Sequence, residues 1–328
     1  MKRAKISSVG HFVPDHVLSN EDLEKMVETN DEWIQSRTGI KERRILKDPE
    51  KATSWMASRA AEEALERAGV DALDVDAVIV ATVTPDYLFP ATACLVQGQI
   101  GADHAYAFDL SAACSGFIYA ISNGAMMIES GRARNVLVIG ADKMSSIIDY
   151  TDRTTCILFG DGAGAVLLQE SNDETGLIDF VHHSEADAKC QLVQKGGGSR
   201  HPASTETLEN GDHYIQQDGR AVFKRATEGM ADVSLEIMER NGLKGDDVAW
   251  LVPHQANKRI IDATARRMGI SIDNVMINIQ KYGNTTAATI PLCLYDWKEK
   301  LSPGDNVILS AFGGGFTWGA VYLTWSAS

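Results

Sequence analysis

Apolar positions along the chain follow two patterns that alternate from end to end. Short solid runs such as "DAVIVATV", Asp76 to Val83, have the length of a strand buried on both faces. Longer segments such as "SWMASRAAEEALERAG", Ser54 to Gly69, repeat apolar residues at three- and four-residue spacing and stop at a glycine, as a helix with one buried face does. Regular alternation of the two predicts a layered α/β fold.

The order of elements also repeats. "SWMASRAAEEALERAG" leads into "VDALDVDAVIVATV", and "GMADVSLEIMERNG" leads into "LKGDDVAWLVPHQ": helix, glycine stop, short acidic loop, buried strand. Further on, "CSGFIYAISNGAMMIESGRARNVLVIGA" parallels "NTTAATIPLCLYDWKEKLSPGDNVILSA", and each half closes with a glycine-rich turn into a strand, "FGDGAGAVLLQE" and "AFGGGFTWGAVYLTW". Cys114 and Asn284 lie almost equally far before the matching strand starts, Asn135 and Asn306, which predicts equivalent places facing each other across a pseudo-twofold axis. The two halves are 1–172 and 173–328. A polar stretch at about 183–218, with "KGGGSRHPAS", has no counterpart and reads as a long loop or flap.

Composition narrows the function. A net charge of −14 over 328 residues disfavours nucleic acid as a partner, because neutralising phosphates needs surplus Lys and Arg. No apolar run approaches the ~18 residues of a membrane span, and the N-terminal "MKRAKISSVGHFVP" lacks the apolar core of a signal peptide, so a cytoplasmic protein is expected. The five cysteines (Cys94, Cys114, Cys156, Cys190, Cys293) are odd in number and contain no C-x-x-C pair, which fits reduced thiols.

One of these cysteines stands out. In "FDLSAACSGFIYAI" Cys114 lies among small residues where a strand-like run turns into a helix-like run. A helix starting there would aim unpaired N–H groups and its positive end at the sulfur, and so predicts a lowered thiol pKa. His254 ends the buried strand of "VAWLVPHQ", where α/β folds place reactive groups. Asn284 precedes "TTAATIPL" and would also serve as a helix N-cap. The "FGGGF" turn, Phe312 to Phe316, frees backbone amides. That of Gly314, with that of Cys114, could form an oxyanion hole.

Taken together, "DLSAACSGF", "PHQAN", "GNTTAATIP" with "FGGGFTWG", and "ETNDEWIQSRTGIKERR" resemble β-ketoacyl-acyl-carrier-protein synthase III, the condensing enzyme that starts type II fatty acid synthesis. The resemblance spans nearly the whole chain and implies a thiolase-like, duplicated, five-layered αβαβα fold. It implies that Cys114 accepts an acyl group from acyl-CoA. His254 and Asn284 would then stabilise the charge that develops as malonyl-acyl-carrier protein loses CO2. The activity implied is a decarboxylative condensation giving a 3-oxoacyl-carrier protein, with CoA thioester as substrate, no cofactor and no metal. Elongating relatives carry a second His where Asn284 stands, and thiolases need a cysteine in the glycine-rich turn, so Cys-His-Asn points to the initiating enzyme or to polyketide- and quinolone-type relatives.

Further positions carry over in the same way. Trp33 and Arg37, with Arg153, match residues that hold the CoA adenine; Thr29, Gly219 and Phe223 match the pantetheine tunnel, and Asn257 is expected to organise active-site hydrogen bonds. Arg220 departs from the family, where Asn is common. Lys224, Lys258, Arg259, Arg266 and Arg267 form a basic patch suited to docking the acidic carrier protein. Phe89 matches a residue that crosses a homodimer interface to cap the partner's acyl pocket, and with Cys156 it would set primer length. A short primer is expected.

Three readings compete on the residues alone. A papain-like protease also uses Cys, His and Asn in this chain order, but Cys114 lacks that family's surrounding motif. His182, His183, Cys190, His201 and His213 crowd the flap region, yet their spacings match no zinc pattern. A carrier-protein-binding scaffold without catalysis would not require Cys114, His254 and Asn284 together.

Overall fold

The computed structural model describes residues 2–171 and 173–326; position 172, the expected boundary between the halves, lies outside the described residues. Five strands form the first sheet: β1 (Ala4–Phe12), β2 (Ala77–Ala81), β3 (Tyr106–Leu110), β4 (Asn135–Asp142) and β5 (Gly162–Glu170). Their spatial order is β1-β5-β4-β2-β3, with β4, β2 and β3 parallel and β5 antiparallel to both its neighbours. The second sheet holds β6 (Gly176–Ser184), β7 (Trp250–Pro253), β8 (Asn306–Gly313) and β9 (Thr317–Thr324), ordered β6-β9-β8-β7. Beyond β7 a lone parallel bridge, Leu251 to Val275, occupies the fifth place. The strand order of one half is thus repeated in the other.

Six helices position the chemistry: α1 (Asp31–Thr38), α2 (Thr53–Ala68), α3 (Gly116–Glu129), α4 (Gly219–Arg240), α5 (Lys258–Met268) and α6 (Thr289–Trp297). Strand residues alternate between two cores, because successive side chains leave a sheet on opposite faces. Ile79 and Val138 turn inward onto Phe117, Ile121 and Ile290 of the central helices α3 and α6, which also cover Val252 and Leu309 of the second sheet. Val78, Val80 and Leu137 turn outward onto Met56, Ala60 and Ala64 of α2. Leu251 and Ile308 meet Val233, Ile237 and Ile261 of α4 and α5 on the other outer face. With the helix Thr92–Ile100 beside α2, the layers are helix pair, sheet, helix pair, sheet, helix pair. Each buried Leu or Ile contributes about 1.5–3 kcal/mol, which is why solid apolar strand runs were informative.

The close approach of α6 to the first sheet depends on Gly140. A Cβ there would lie 2.2 Å from the Ala287 carbonyl oxygen, and neither backbone can yield easily. Gly140→Ala is therefore expected to destabilise the fold by about 3 kcal/mol, read as a lower urea midpoint at unchanged m-value. A wild-type midpoint would show that this packing is looser than described.

Two sequence expectations need correction. The reactive turn is a short 3-10 segment, Ala113–Ser115, with α3 beginning only at Gly116, so the helix does not start at Cys114. Its counterpart is the 3-10 segment Thr286–Ala288 before α6. Ala113 and Thr286, the first residues of the two segments, share left-handed backbone, with φ 47° and 54°. By that signature Cys114 corresponds to Ala287, not Asn284. Counting back from the strand starts misaligned them because α3 is 14 residues and α6 only 9.

The flap region is also more ordered than a long loop. Residues 183 and 184 still belong to β6, and beyond them Leu192–Gln194 and Ile215–Gln217 pair as an antiparallel ribbon, with a short helix, Thr205–Glu209, between. Among the described residues no helix is long and apolar enough to cross a membrane.

Candidate active site

Strand β3 ends at Leu110, and the chain turns sharply before α3. Ala113 adopts φ 47°, a conformation that costs a non-glycine residue roughly 1–3 kcal/mol and recurs where a side chain must be aimed. Ser115 fastens the turn: its hydroxyl reaches the Ala112 carbonyl at 2.7 Å and Thr317 Oγ1 at 2.6 Å. Gly313 lies against the other side. A Cβ there would fall 2.7 Å from the Cys114 amide nitrogen, so only glycine permits this approach.

His254 follows Pro253 at the end of β7, and its amide donates to the Ser310 carbonyl at 2.8 Å. Gln255 then locks the loop: its Nε2 donates to Pro253 O at 2.7 Å and its Oε1 accepts from the Asn278 amide at 3.1 Å. The imidazole is buried, with Nδ1 2.7 Å from Thr289 Oγ1. Asn284 is held by its backbone, whose N–H donates to Leu158 O at 2.9 Å and whose carbonyl accepts from Gly160 N at 3.1 Å. Its Oδ1 accepts from the Thr286 amide at 2.9 Å, which leaves the NH2 group without a protein acceptor among the described residues.

Cys114, His254 and Asn284 thus share one cavity of about 520 Å³. Met144, Ile147, Leu158 and Phe159 supply apolar wall, and Leu192, Ile215 and Gln217 of the ribbon close the opposite side. Gly313, Gly314 and Gly315 also line it, Gly314 lying against Leu192. The segment leading from β6 into the ribbon is tied to the glycine-rich turn: Glu185 N donates to Phe316 O at 2.9 Å, and Asp187 N to Gly315 O at 3.0 Å.

Burial decides the electrostatics. The Cys114 thiol is pushed up to about 12, first by loss of hydration and then by the Asp142 carboxylate. A backbone N–H and the Asn284 amide pull the other way without prevailing. The expected lowering is therefore overturned: the enclosed site withdraws more hydration than the helix end returns. Asp142, fully buried at the end of β4, is itself raised to about 6 by burial. Its Oδ1 accepts from Val83 N at 2.8 Å and from both Thr82 and Thr84 hydroxyls, and its Oδ2 accepts from Ala287 N at 3.2 Å. One carboxylate thereby joins the two halves directly behind the reactive turns.

His254 is lowered to about 3 by burial, so the ring is neutral at pH 7. Below its ordinary value of 6.5 the unfolded chain takes up a proton here that the folded chain refuses, so this contribution to stability is present above 6.5 and lost as pH falls toward 3. Asp142, with its folded value raised, acts with the opposite sign, but equally in any His254 variant. His254→Gln should lose less stability than wild type between pH 7 and pH 4 in urea unfolding. Equal losses would contradict a buried neutral ring.

Other expected site residues fall at several distances from this centre. Gly219, Phe223 and Asn257 line the cavity. Asn257 does not join an active-site hydrogen-bond network: its Oδ1 caps α5 at Arg259 N, 2.9 Å away, and its Nδ2 donates to Arg37 O at 3.0 Å. Trp33 is partly exposed on α1 with the Arg153 guanidinium 5.7 Å from its ring centre. Arg153 also donates to Glu28 O at 3.0 Å, while the Thr29 hydroxyl is buried without a partner among the described residues. Arg220 is exposed in the first turn of α4.

Cys156 is buried among Leu18, Ile34 and Met144, behind the cavity wall; the wall itself comes from Leu158 and Phe159, a short step along the chain. Phe89 is 85% exposed and lines no part of this chain's own cavity. In the basic patch, Lys258 is paired with Asp262 and Arg267 with Asp232, whereas Arg259 stacks 4.8 Å from the Phe223 ring at the cavity. Lys224 and Arg266 are exposed. The flap histidines diverge: His182 contacts Ser122, and His183 pairs with Glu236. Among the described residues no three His, Cys, Asp or Glu side chains gather as metal ligands would.

Sequence reasoning missed Thr289, Asp142 and Gln255. Asp142 had a readable signal, a carboxylate ending a solid apolar strand, the same signal that marked His254.

Residues 108–186 match the family described as 3-oxoacyl-[acyl-carrier-protein] synthase III, and residues 238–325 match its C-terminal counterpart. The chain is 57% identical to β-ketoacyl-[acyl-carrier-protein] synthase III of Chlorobium phaeovibrioides, over 98% of this chain and 99% of that one. It is 53% identical to the protein of the same name from Porphyromonas gingivalis, over 98% and 96%. Among solved structures, 3-oxoacyl-[acyl-carrier-protein] synthase III from Aquifex aeolicus superposes with a TM-score of 0.90 at 47% identity, covering 98% of this chain and all of that one. The priming β-ketosynthase of the R1128 polyketide pathway gives the same TM-score at 32% identity, covering 99% and 97%. Fold, site and relatives agree, and the chain belongs to the β-ketoacyl-[acyl-carrier-protein] synthase III family.

Proposed function

We propose that this enzyme works through an acyl group carried on Cys114, with His254 and Asn284 serving the decarboxylation that follows. The observation that carries this reading is the convergence of Cys114, His254 and Asn284 on one apolar cavity. The sulfur attacks the carbonyl of an acyl-CoA, the carbonyl oxygen gathers charge beside the Cys114 and Gly314 amides, and the adduct collapses to acyl-Cys114, the thiol proton leaving with CoA. Activation of the raised thiol falls to the N–H and amide donors that oppose its burial.

Malonyl-acyl-carrier protein then enters. Its C–CO2 bond breaks, the electron pair passes to C2, and the thioester oxygen gains negative charge. Donors from His254 and Asn284 meet that oxygen. The carbanion attacks the acyl-Cys114 carbonyl, forming the new C–C bond and expelling the Cys114 thiolate, which takes one proton from water. The product is a 3-oxoacyl-carrier protein, with no cofactor or metal required.

The docking roles follow the same logic. Trp33 with Arg153 would hold a CoA adenine between an aromatic face and a guanidinium. Arg259, beside Phe223, would meet the carrier protein's phosphopantetheine, with Lys224 and Arg266 steering the acidic partner. Tyr87, Leu88 and Phe89 form three consecutive exposed large side chains, 61%, 81% and 85% accessible. A second copy of the chain in a cytoplasmic homodimer would cover them and receive Phe89 at its acyl pocket. Acetyl-CoA or another short acyl-CoA would then be the preferred primer.

Sedimentation and a primer panel test this together. The wild type should run as a dimer, and Phe89→Ala should shift preference toward longer acyl-CoAs. A monomeric wild type, or efficient priming by octanoyl-CoA, would sink the capping role.

A further inference from the structure

His254 contacts protein at one ring nitrogen. Nδ1 lies 2.7 Å from Thr289 Oγ1, and among the described residues no protein group bonds Nε2. Thr289 is itself buried in the first turn of α6, away from solvent that could supply another partner. A hydroxyl has one hydrogen to give. It can go to His254 Nδ1 or to the Thr286 carbonyl, 3.1 Å away. That carbonyl also accepts the backbone N–H of Thr289, so the hydroxyl would be a second donor to its remaining lone pair. The shorter contact, 2.7 Å against 3.1 Å, directs the hydroxyl hydrogen to the ring.

We propose that Thr289 is a positioning residue: its hydroxyl donates to His254 Nδ1 and holds the ring as the Nε2–H tautomer, so that a donor faces the substrate thioester oxygen. This rests on the reading of His254 as a hydrogen-bond donor. With the other tautomer a lone pair at Nε2 would face an oxygen that is gaining negative charge, and the interaction would turn from attraction to repulsion. A buried ring that stays neutral has no second proton to make the choice irrelevant, so the tautomer must be set by a neighbour. The same short segment serves the other donor, since the Thr286 amide orients Asn284 through its Oδ1. One turn at the start of α6 therefore aims both hydrogen-bond donors.

The test combines nitrogen-15 NMR of histidine-labelled enzyme with half-reaction kinetics of Thr289→Val and Thr289→Ser. In the wild type at pH 7, His254 should show a protonated Nε2 and an unprotonated Nδ1. Thr289→Val should lose condensation by about tenfold to a hundredfold, within the effect of removing one donor to a developing oxyanion. It should still form acyl-Cys114 from acetyl-CoA at the wild-type rate, and Thr289→Ser should restore condensation. Protonated Nδ1 in the wild type, or a folded Thr289→Val that condenses normally, would overturn the proposal. If Thr289→Val does not fold, the wild-type and Thr289→Ser spectra still decide it. Normal condensation by His254→Ala would instead overturn the donor role of His254 itself.

Discussion

Cys114→Ser will lose condensation by about ten-thousandfold or more, the scale seen when an enzyme's covalent nucleophile is removed. The structure gives the reason in two parts. Burial holds even the thiol well above its ordinary range, so a hydroxyl in the same enclosed place, far weaker as an acid, has no route to an attacking anion. The turn that aims the side chain remains intact, since Ser115, Thr317 and Gly313 fasten the backbone and not the sulfur. Loss of rate should therefore come without loss of stability. Decarboxylation of malonyl-carrier protein, which calls on His254 and Asn284, should persist in this variant. Disappearance of both activities together would mean that the substitution has disturbed the whole cavity.

Asn284→Ala should show the reverse division. Decarboxylation and condensation should fall by about a hundredfold to a thousandfold, as expected when one preorganised donor to a developing oxyanion is lost. Acylation of Cys114 should fall far less, through loss of the smallest of the influences on the thiol, the lowering by Asn284. The backbone bonds of Asn284 to Leu158 and Gly160 do not depend on its side chain, so the turn should survive. Rapid-quench measurement of acyl-enzyme formation, beside CO2 release from malonyl-carrier protein, separates the two effects. Equal losses in both half-reactions would contradict the division of labour.

Much of this architecture was legible in the chain because its physics is local. Solid strand runs such as Ala77–Ala81 are apolar at every position because each face of the sheet meets helices, and the duplication showed because both halves solve the same packing problem. Cys114 was legible through the small residues around it, and His254 through its place after a buried strand. What escaped depends on residues far apart in sequence. The direction of the thiol shift needs the whole enclosing cavity and the charge of Asp142, which reaches Ala287 from 145 positions away. Thr289 reads as a routine helix residue until His254 is placed against it. Cys156 was expected to help set pocket length, but it lies in the buried cluster that includes Ile34, while Leu158 and Phe159 line the cavity.

The most direct test of the account is the intact mass of the wild-type enzyme, first after mixing with acetyl-CoA and then after adding malonyl-acyl-carrier protein. The account predicts a gain of one acetyl group located on Cys114, absent in Cys114→Ser, and its discharge as 3-oxoacyl-carrier protein forms. A gain that persists in Cys114→Ser, or condensation with no acyl-enzyme at any time, would contradict it.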